Sequence, residues 1–383
     1  MNQPPSKLTY AMVGGGIGAF IGDVHRRAIN LTGRAQLVAG ALSSTPEKSL
    51  ESAKALGLDE DRSYASYQEL VEGESNRDDR VDFIVIVTPN DTHYPIAKFA
   101  LDNGFHVVVD KPATHTSAQA KELEQLAASK GLLCCVTYNY TGYPMVRQAR
   151  AMIENGELGT IRKVFAEYHQ GWLASDLESS GHKQASWRVD PARAGLGGAL
   201  GDIGTHAENL VSFVTGLEIE SLFADLKTFV AGRALDDDAS VMINFAGGAS
   251  GLLTASQVCV GEHNGITLRI HGDQGGIAWQ QEHPNELRFT KLGQHTVTLS
   301  RGTDDLYPDS LVSSMAPPGH TEGYLDAFSN IYRGVIDAVC ALKHNTPPTP
   351  LAKLIPTMTD GVQGVRFVER CVESSKQNTV VNW

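Results

Sequence analysis

No run of about 20 apolar residues, the length a membrane-spanning helix needs, occurs anywhere in the chain. There is no dense Lys/Arg cluster, and the net charge is −12. A nucleic-acid partner needs a basic face, so that class is set aside. Cysteine is sparse: Cys134, Cys135, Cys259, Cys340 and Cys371 are scattered, with no C-x-x-C spacing for zinc or a redox pair. Such cysteines read as buried, reduced thiols. The 13 histidines include no H-x-H or H-x-x-x-H, so no metal is expected. Low-complexity tracts and internal repeats are also missing. Met1–Thr9 is short and polar, and the apolar stretch after it soon meets Asp23, His25, Arg26 and Arg27. That pattern is unlike a signal peptide, and the expectation is a cytoplasmic protein.

What is present is a globular composition, 42% hydrophobic and 20% charged, over 383 residues. That length suits two domains. The first third alternates strand and helix. Apolar, β-branched runs stand at 8–13, 35–42, 81–87, 105–109 and 132–137, with helical stretches at about 19–31, 94–103 and 117–130. Continuous apolar runs suit parallel strands buried on both faces. This order predicts an α/β Rossmann domain over 1–140, a doubly wound parallel sheet. Beyond it, helix 145–155 and strand 162–169 lead into a glycine-rich segment at 195–204. Short alternating strands follow at 221–230, 239–245, 251–258, 266–271 and 276–280, then helices near 324–343 and 356–375. Residues 141–383 are therefore expected to form an α+β domain around a large, mostly antiparallel open sheet, its last helix a candidate to pack back on the first domain.

Val13-Gly14-Gly15-Gly16-Ile17-Gly18-Ala19 follows the first strand and opens a helix. Gly14, Gly16 and Ala19 fit G-x-G-x-x-G/A: one residue for the tight turn, one for close approach of a pyrophosphate, one for helix–strand packing. Helix N-terminal amides then face the anion, with Ile17 and Gly18 beside them. The tip of the second strand, where an NAD site usually places an acid for the ribose, carries Ser43-Ser44. Hydroxyls do not repel a 2′-phosphate, so NAD and NADP both stay open. Simple caps for the next helix explain these serines equally well.

Three further segments are distinctive: Thr88-Pro89-Asn90-Asp91-Thr92-His93, Asp110-Lys111-Pro112, and Gly197-Gly198-Ala199-Leu200-Gly201-Asp202-Ile203-Gly204-Thr205-His206. In this order, together with the glycine turn, they resemble the Gfo/Idh/MocA family, glucose–fructose oxidoreductase, inositol dehydrogenase and their relatives. Asp-Lys-Pro stands where Glu-Lys-Pro is commoner. The resemblance implies a Rossmann domain followed by an open-sheet domain that pairs with another subunit's in dimers or tetramers. It implies NAD(P) and a sugar or cyclitol ring carbon as the site of oxidation. It also implies that Lys111, Asp202 and His206 act as the catalytic group and touch substrate.

The chemistry asks for such residues. Removing a hydride from a secondary alcohol requires a base for the hydroxyl proton and a cation beside the developing alkoxide. His206 suits the first role near neutral pH. Lys111, at the carboxyl end of its strand, suits the second. Asp202 lies four residues before His206, a spacing that on an α-helix places both on one face. Without the resemblance, Asp202 and His206 read as a helix-start acid and a partly buried polar residue.

The family pattern further brings Thr88, Pro89, Asn90, His93, Asp110, Asn139, Trp187 and Arg188 to the cofactor, and Tyr140 towards the substrate. It points to a cis Lys111–Pro112 bond, whereas statistics for Xaa-Pro favour trans. His169, ending a strand, and His320, in the polar-glycine stretch 319–324, are additional candidates for the substrate pocket; solvent exposure and a helix start are their alternatives. Two other functions remain compatible with the resemblance: a glycosidase that uses transient oxidation and elimination, and a non-catalytic dinucleotide-binding regulator. Lys111 and His206 speak against the second.

Overall fold

The computed structural model describes residues 7–383, which divide into two compact units. The first takes in the chain up to Thr114, Ala118–Asn139 and Tyr324–Val362; the second takes in His115–Ser117, Tyr140–Gly323 and Gln363–Trp383. Residues 324–362 cluster with the first unit and not with the second.

In the first unit, β1 (Leu8–Gly14), α1 (Phe20–Thr32), β2 (Ala35–Ala41), α2 (Pro46–Ala55), α3 (Tyr67–Ser75), β3 (Phe83–Val87), α4 (His93–Asp102), β4 (His106–Val109), α5 (Ser117–Lys130) and β5 (Cys134–Val136) follow in order. The five strands form one parallel sheet, β2-β1-β3-β4-β5. Alternate residues feed two cores. Tyr10, Met12, Phe83 and Val85 face Val24, Ala28 and Ile29 of α1; Ala11, Val13, Ile84 and Ile86 face Leu70, Ile96, Leu101 and Leu123. The helix Tyr324–His344 completes the first of these cores with Phe328, Ile331, Tyr332, Val335 and Val339. Its apolar stripe was readable as a helix; that the stripe belongs to the Rossmann sheet was not, because periodicity reveals a buried face without its partner. Helix α3 is an element that the sequence reading does not predict.

The second unit contains α6 (Pro144–Glu154), β6 (Ile161–His169), α7 (Lys183–Arg188), α8 (Pro191–Ala194), a π turn at Leu200–Gly204, and α9 (Thr205–Thr215). Then come β7 (Ile219–Lys227), β8 (Asp238–Phe245), β9 (Ser250–Ser256), β10 (Gly265–Gly272), β11 (Gly275–Gln280), β12 (Glu286–Lys291), β13 (Val297–Ser300) and the terminal β14 (Val381–Asn382). With β6 they form one open nine-stranded sheet, β13-β12-β11-β10-β6-β9-β8-β7-β14, in which β7-β8-β9 and β10-β11-β12-β13 are runs of hairpins on either side of β6. Every pair is antiparallel except β6 with β9, where the chain returns to β6 after crossing through the glycine segment and α9. On β8, Ala239, Val241, Ile243 and Phe245 are buried while Ser240, Met242 and Asn244 are exposed, the period-two pattern of a sheet covered on one side. Among the described residues, no helix is long and apolar enough to cross a membrane, and no group of three or more His, Cys, Asp or Glu is placed to hold a metal.

Candidate active site

In the first unit the glycine turn is built by backbone conformation and close approach. Gly14 and Gly15 take φ of 81° and 74°. A methyl group on Gly22 would lie 2.3 Å from the Cα of Gly15, so Gly22, in the first turn of α1, provides the close helix–strand contact. The expectation that Ala19 does this is corrected: Ala19 is the residue preceding the helix, with φ −95°. Gly16 also has a different reason from the expected one. Its amide donates to the Leu42 carbonyl at 3.0 Å, and a Cβ there would lie 2.5 Å from Ser52 Oγ. The space it protects is therefore filled by protein. The Ile17 amide donates to Ser52 Oγ at 3.1 Å, and Arg26 clamps the turn from behind through the Gly15 carbonyl at 2.6 Å.

Three observations fit this turn to a dinucleotide. Nothing lies within 4 Å of a Cβ built on Gly18, so the space above it is open. No side chain caps the start of α1. Ile17 and Phe20 stand 62% and 67% exposed beside it, apolar surface that a bound nucleotide would cover. At the tip of β2, Ser43 Oγ accepts from the Thr45 amide at 3.2 Å and Ser44 is exposed.

The loop after β3 lies against the same turn: a Cβ on Gly14 would meet Thr88 Cγ2 at 2.8 Å. Pro89 precedes a single 3-10 turn, Asn90–Thr92, in which Asn90 is buried. His93 is fully buried, with Nε2 2.9 Å from the Thr88 carbonyl and Nδ1 2.9 Å from the Pro112 carbonyl. It braces two loops from within, which replaces the expected direct contact to the cofactor. The Lys111–Pro112 bond is cis. Asp110 Oδ1 accepts from the Lys111 amide at 2.9 Å and from Thr137 Oγ1 at 2.7 Å. Asp110 thus fixes the Lys111 backbone, a supporting part where a ligand contact was expected. Asn139, just past β5, is buried, and its Nδ2 has no hydrogen-bond partner among the described residues.

Behind Asp110 sits His25 of α1, with Nε2 3.9 Å from Oδ1 and Nδ1 2.5 Å from the Tyr332 hydroxyl. Burial pushes its pKa down from 6.5 to about 4, more than the nearby Asp110 charge raises it.

In the second unit, Asp202 lies in the π turn and His206 in the first turn of α9. The turn carries an extra residue, so the α-helical spacing argument does not apply across it. Asp202 Oδ2 accepts from Arg188 Nε at 2.9 Å and from Gln257 Nε2 at 2.8 Å. The Arg188 guanidinium stacks 4.2 Å over the half-buried Trp187 ring and lies 5.9 Å from the ring of Trp172. The His206 ring is 7% exposed and meets Tyr140 edge to face at 4.8 Å, with Tyr168 at 6.2 Å. Beneath it runs a closed cycle: Asn264 Nδ2 donates to the Tyr140 hydroxyl (3.0 Å), Tyr140 to Tyr168 (2.6 Å), and Tyr168 to Asn264 Oδ1 (2.7 Å). Gln170 Nε2 joins at Asn264 Oδ1 (3.0 Å), and Trp172 Nε1 donates to Gln170 Oε1 (3.0 Å).

Two expected substrate residues lie on or beside β6. Tyr140 was expected to meet substrate; it is buried, its hydroxyl bonded to Tyr168 and Asn264 and its ring set against His206. His169 follows Tyr168 on β6 and hence points to the opposite face of the sheet, where Nε2 meets Thr254 Oγ1 at 2.9 Å. His320 is exposed; its carbonyl accepts from Arg301, which pairs with the buried Glu322 at 2.8 Å. The structure brings neither histidine to Asp202 or His206. Gln257, Asn264, Tyr168 and Gln170 are site residues without a motif; only the alternation Val164-Ala166-Tyr168 on β6 signals that Tyr168 faces the helix.

An uncapped glycine turn on a parallel sheet, and a polar second unit built around Asp202 and His206, define an NAD-binding oxidoreductase of two-domain type. Residues 8–138 match the oxidoreductase family with an NAD-binding Rossmann fold, and residues 146–278 match the GFO/IDH/MocA C-terminal domain. The chain belongs to the Gfo/Idh/MocA family. It is 38% identical to an inositol dehydrogenase homolog from Azotobacter vinelandii solved with NAD+, with TM-score 0.94 and coverage of 99% of this chain and 98% of that one. The structure of such a homolog with NADH and myo-inositol gives 36% and 0.91, with coverage of 99% and 98%. The uncharacterized oxidoreductase YfiI of Bacillus subtilis (strain 168) is 37% identical over 97% of this chain and 96% of its own length. Levoglucosan dehydrogenase of Pseudarthrobacter phenanthrenivorans is 29% identical over 73% of this chain and 75% of its own.

Two outcomes follow from the first unit. Gly22→Ala will drive a methyl into backbone; it is expected to cost about 1–3 kcal/mol in urea unfolding and to weaken NADH binding in calorimetric titration. Gly16→Val will also lose both, because Ser52 and Leu42 are in the way, whereas Gly18→Ala, in open space at φ 77°, will cost about 1 kcal/mol and act mainly on affinity. Separately, His25 is neutral when folded and takes up a proton on unfolding. Its stabilising contribution is complete above pH 6.5 and is lost as pH falls towards 4. Urea midpoints between pH 7 and 5 will fall, and His25→Gln will flatten that slope; an unchanged slope would reject the assignment.

Proposed function

We propose that this protein is an NAD-dependent dehydrogenase acting on a ring carbinol of a sugar or cyclitol. The observation that supports it most is the Asp202–His206 segment, with Asp202 held between Arg188 and Gln257 and the His206 ring seated on two tyrosines. Relatives described as an inositol dehydrogenase homolog with myo-inositol and as levoglucosan dehydrogenase agree in substrate class. When bound, NAD supplies the hydride acceptor. His206 takes the hydroxyl proton of the substrate. Its ring, confined by Tyr140 and Tyr168, presents a nitrogen to that proton. The Lys111 ammonium steadies the developing negative charge on the carbinol oxygen, and Asp110 holds the Lys111 backbone for it. Outward residues of the large sheet, Met242 and Leu252 among them, offer a face for a second copy of the chain in a dimer or tetramer.

Lys111→Ala and His206→Ala are expected to lower turnover by about 10²–10⁴-fold while NADH binding persists. The assay is a panel of cyclitols, aldoses, sugar acids and glycosides followed at 340 nm. Near-normal turnover in both variants would overturn the catalytic assignment. Glycoside cleavage without net NADH would favour the elimination reaction instead.

Cofactor preference is expected to be shallow. Ser43 and Ser44 bring no charge to the ribose, so the NAD/NADP ratio should stay below about a hundredfold, roughly 2.7 kcal/mol. Ser43→Asp should shift it towards NAD by weakening NADP. Dissociation constants for both nucleotides check this; a thousandfold preference in the wild type would mean that other residues read the ribose.

A further inference from the structure

The Asp202–His206 segment is held by more than its own helical hydrogen bonds. Its first amides are gripped by one residue from the β7–β8 connection. Asp236 Oδ1 accepts from the Gly198 amide and Oδ2 from the Leu200 amide, both at 2.7 Å, and its backbone carbonyl accepts from the Ala199 amide at 2.8 Å. Three successive amides thus converge on one residue at the start of the π turn. Gly198 is required for that approach, since a Cβ there would lie 2.0 Å from the Asp236 carbonyl oxygen.

The next residue serves the same target from the other side. The Asp237 carbonyl accepts from the Gln257 amide at 2.9 Å, and the Gln257 side chain donates to Asp202. Asp237 is itself fixed by the Phe229 and Val230 amides (2.8 and 2.9 Å) and by Arg233, which also pairs with Glu178 at 2.7 Å. Charge-assisted bonds to backbone amides are short and directional, suited to fixing a turn.

We propose that Asp236 is a positioning residue for the reaction: its carboxylate sets the π turn so that Asp202 and His206 stand in register for the carbinol. This rests on the catalytic reading of His206. Asp236 is half-buried, and the desolvation of its carboxylate raises its pKa to about 6 against the opposing pull of the two amides. The titratable groups facing it are Asp237, whose charge raises it further, and Cys371, which burial keeps as a thiol. Below pH 6 the strap takes up a proton, and one oxygen stops accepting.

The test is Asp236→Asn in the full-length enzyme, with turnover followed across pH 5–9. At pH 8 kcat should fall about ten- to a hundredfold, the scale of a misplaced catalytic group, with the Kd for NADH within twofold of wild type. The wild-type/variant ratio of kcat should then shrink towards one below pH 6, where the wild type also lacks the charge. Gly198→Ala, which pushes the strap apart but keeps the carboxylate, should lose turnover by a similar factor at every pH. Thermal unfolding and NADH binding confirm that both variants are folded. An Asp236→Asn ratio that is constant across pH, or an Asp236→Asn kcat equal to wild type, overturns the proposal. If His206→Ala keeps its turnover, it is the catalytic reading that fails, independently of Asp236.

Discussion

Between Gly15 and Gly22 there is no room for a single methyl group, and the first unit depends on that contact. It fixes where α1 begins relative to the end of β1. The opening amides of the helix therefore come to lie over the turn, uncapped, beside the open space at Gly18. The same placement puts Arg26 under the Gly15 carbonyl and buries His25 against Tyr332 and Asp110. From Asp110 the fixed geometry passes to the Lys111 backbone. A steric constraint at two glycines is in this way felt at the lysine, through one helix and one carboxylate.

The second unit solves a different problem, holding a histidine whose surroundings are polar and almost sealed. Each buried hydroxyl or amide needs a partner, or its desolvation counts against the fold. The Asn264–Tyr140–Tyr168 cycle meets that requirement by giving each tyrosine hydroxyl partners within the unit. Their rings then confine His206. Asp236 and Asp237 act likewise from the neighbouring strand connection, trading buried charge for a fixed backbone.

The fold was legible because strands and helices leave periodic marks. Phe83–Val87 is apolar throughout and proves buried throughout, and β8 alternates and proves one-sided. The glycine turn, Lys111, Asp202 and His206 were legible as motifs. The supporting residues were not. Gln257, Asn264 and Asp236 reach the site from strands and connections distant in the chain, and a single side chain at such a position carries no pattern. His93, Asp110 and Tyr140 stood out as ligand contacts, and their side chains have protein partners, since proximity to a motif does not say whether a side chain faces a ligand or the protein behind it. His169 missed by one position, which on a strand is the opposite face.

The helix Tyr324–His344 covers one core of a sheet whose last strand ends at Val136. A ribosome makes the strands first and this helix only after nearly all of the second unit. At roughly 5–20 residues per second, the interval is on the order of ten seconds or more. Throughout it, Tyr10, Met12, Phe83 and Val85 lack the covering that Phe328, Ile331 and Val335 later provide. That face of the nascent nucleotide-binding unit thus stays open until residues far beyond its last strand have been made.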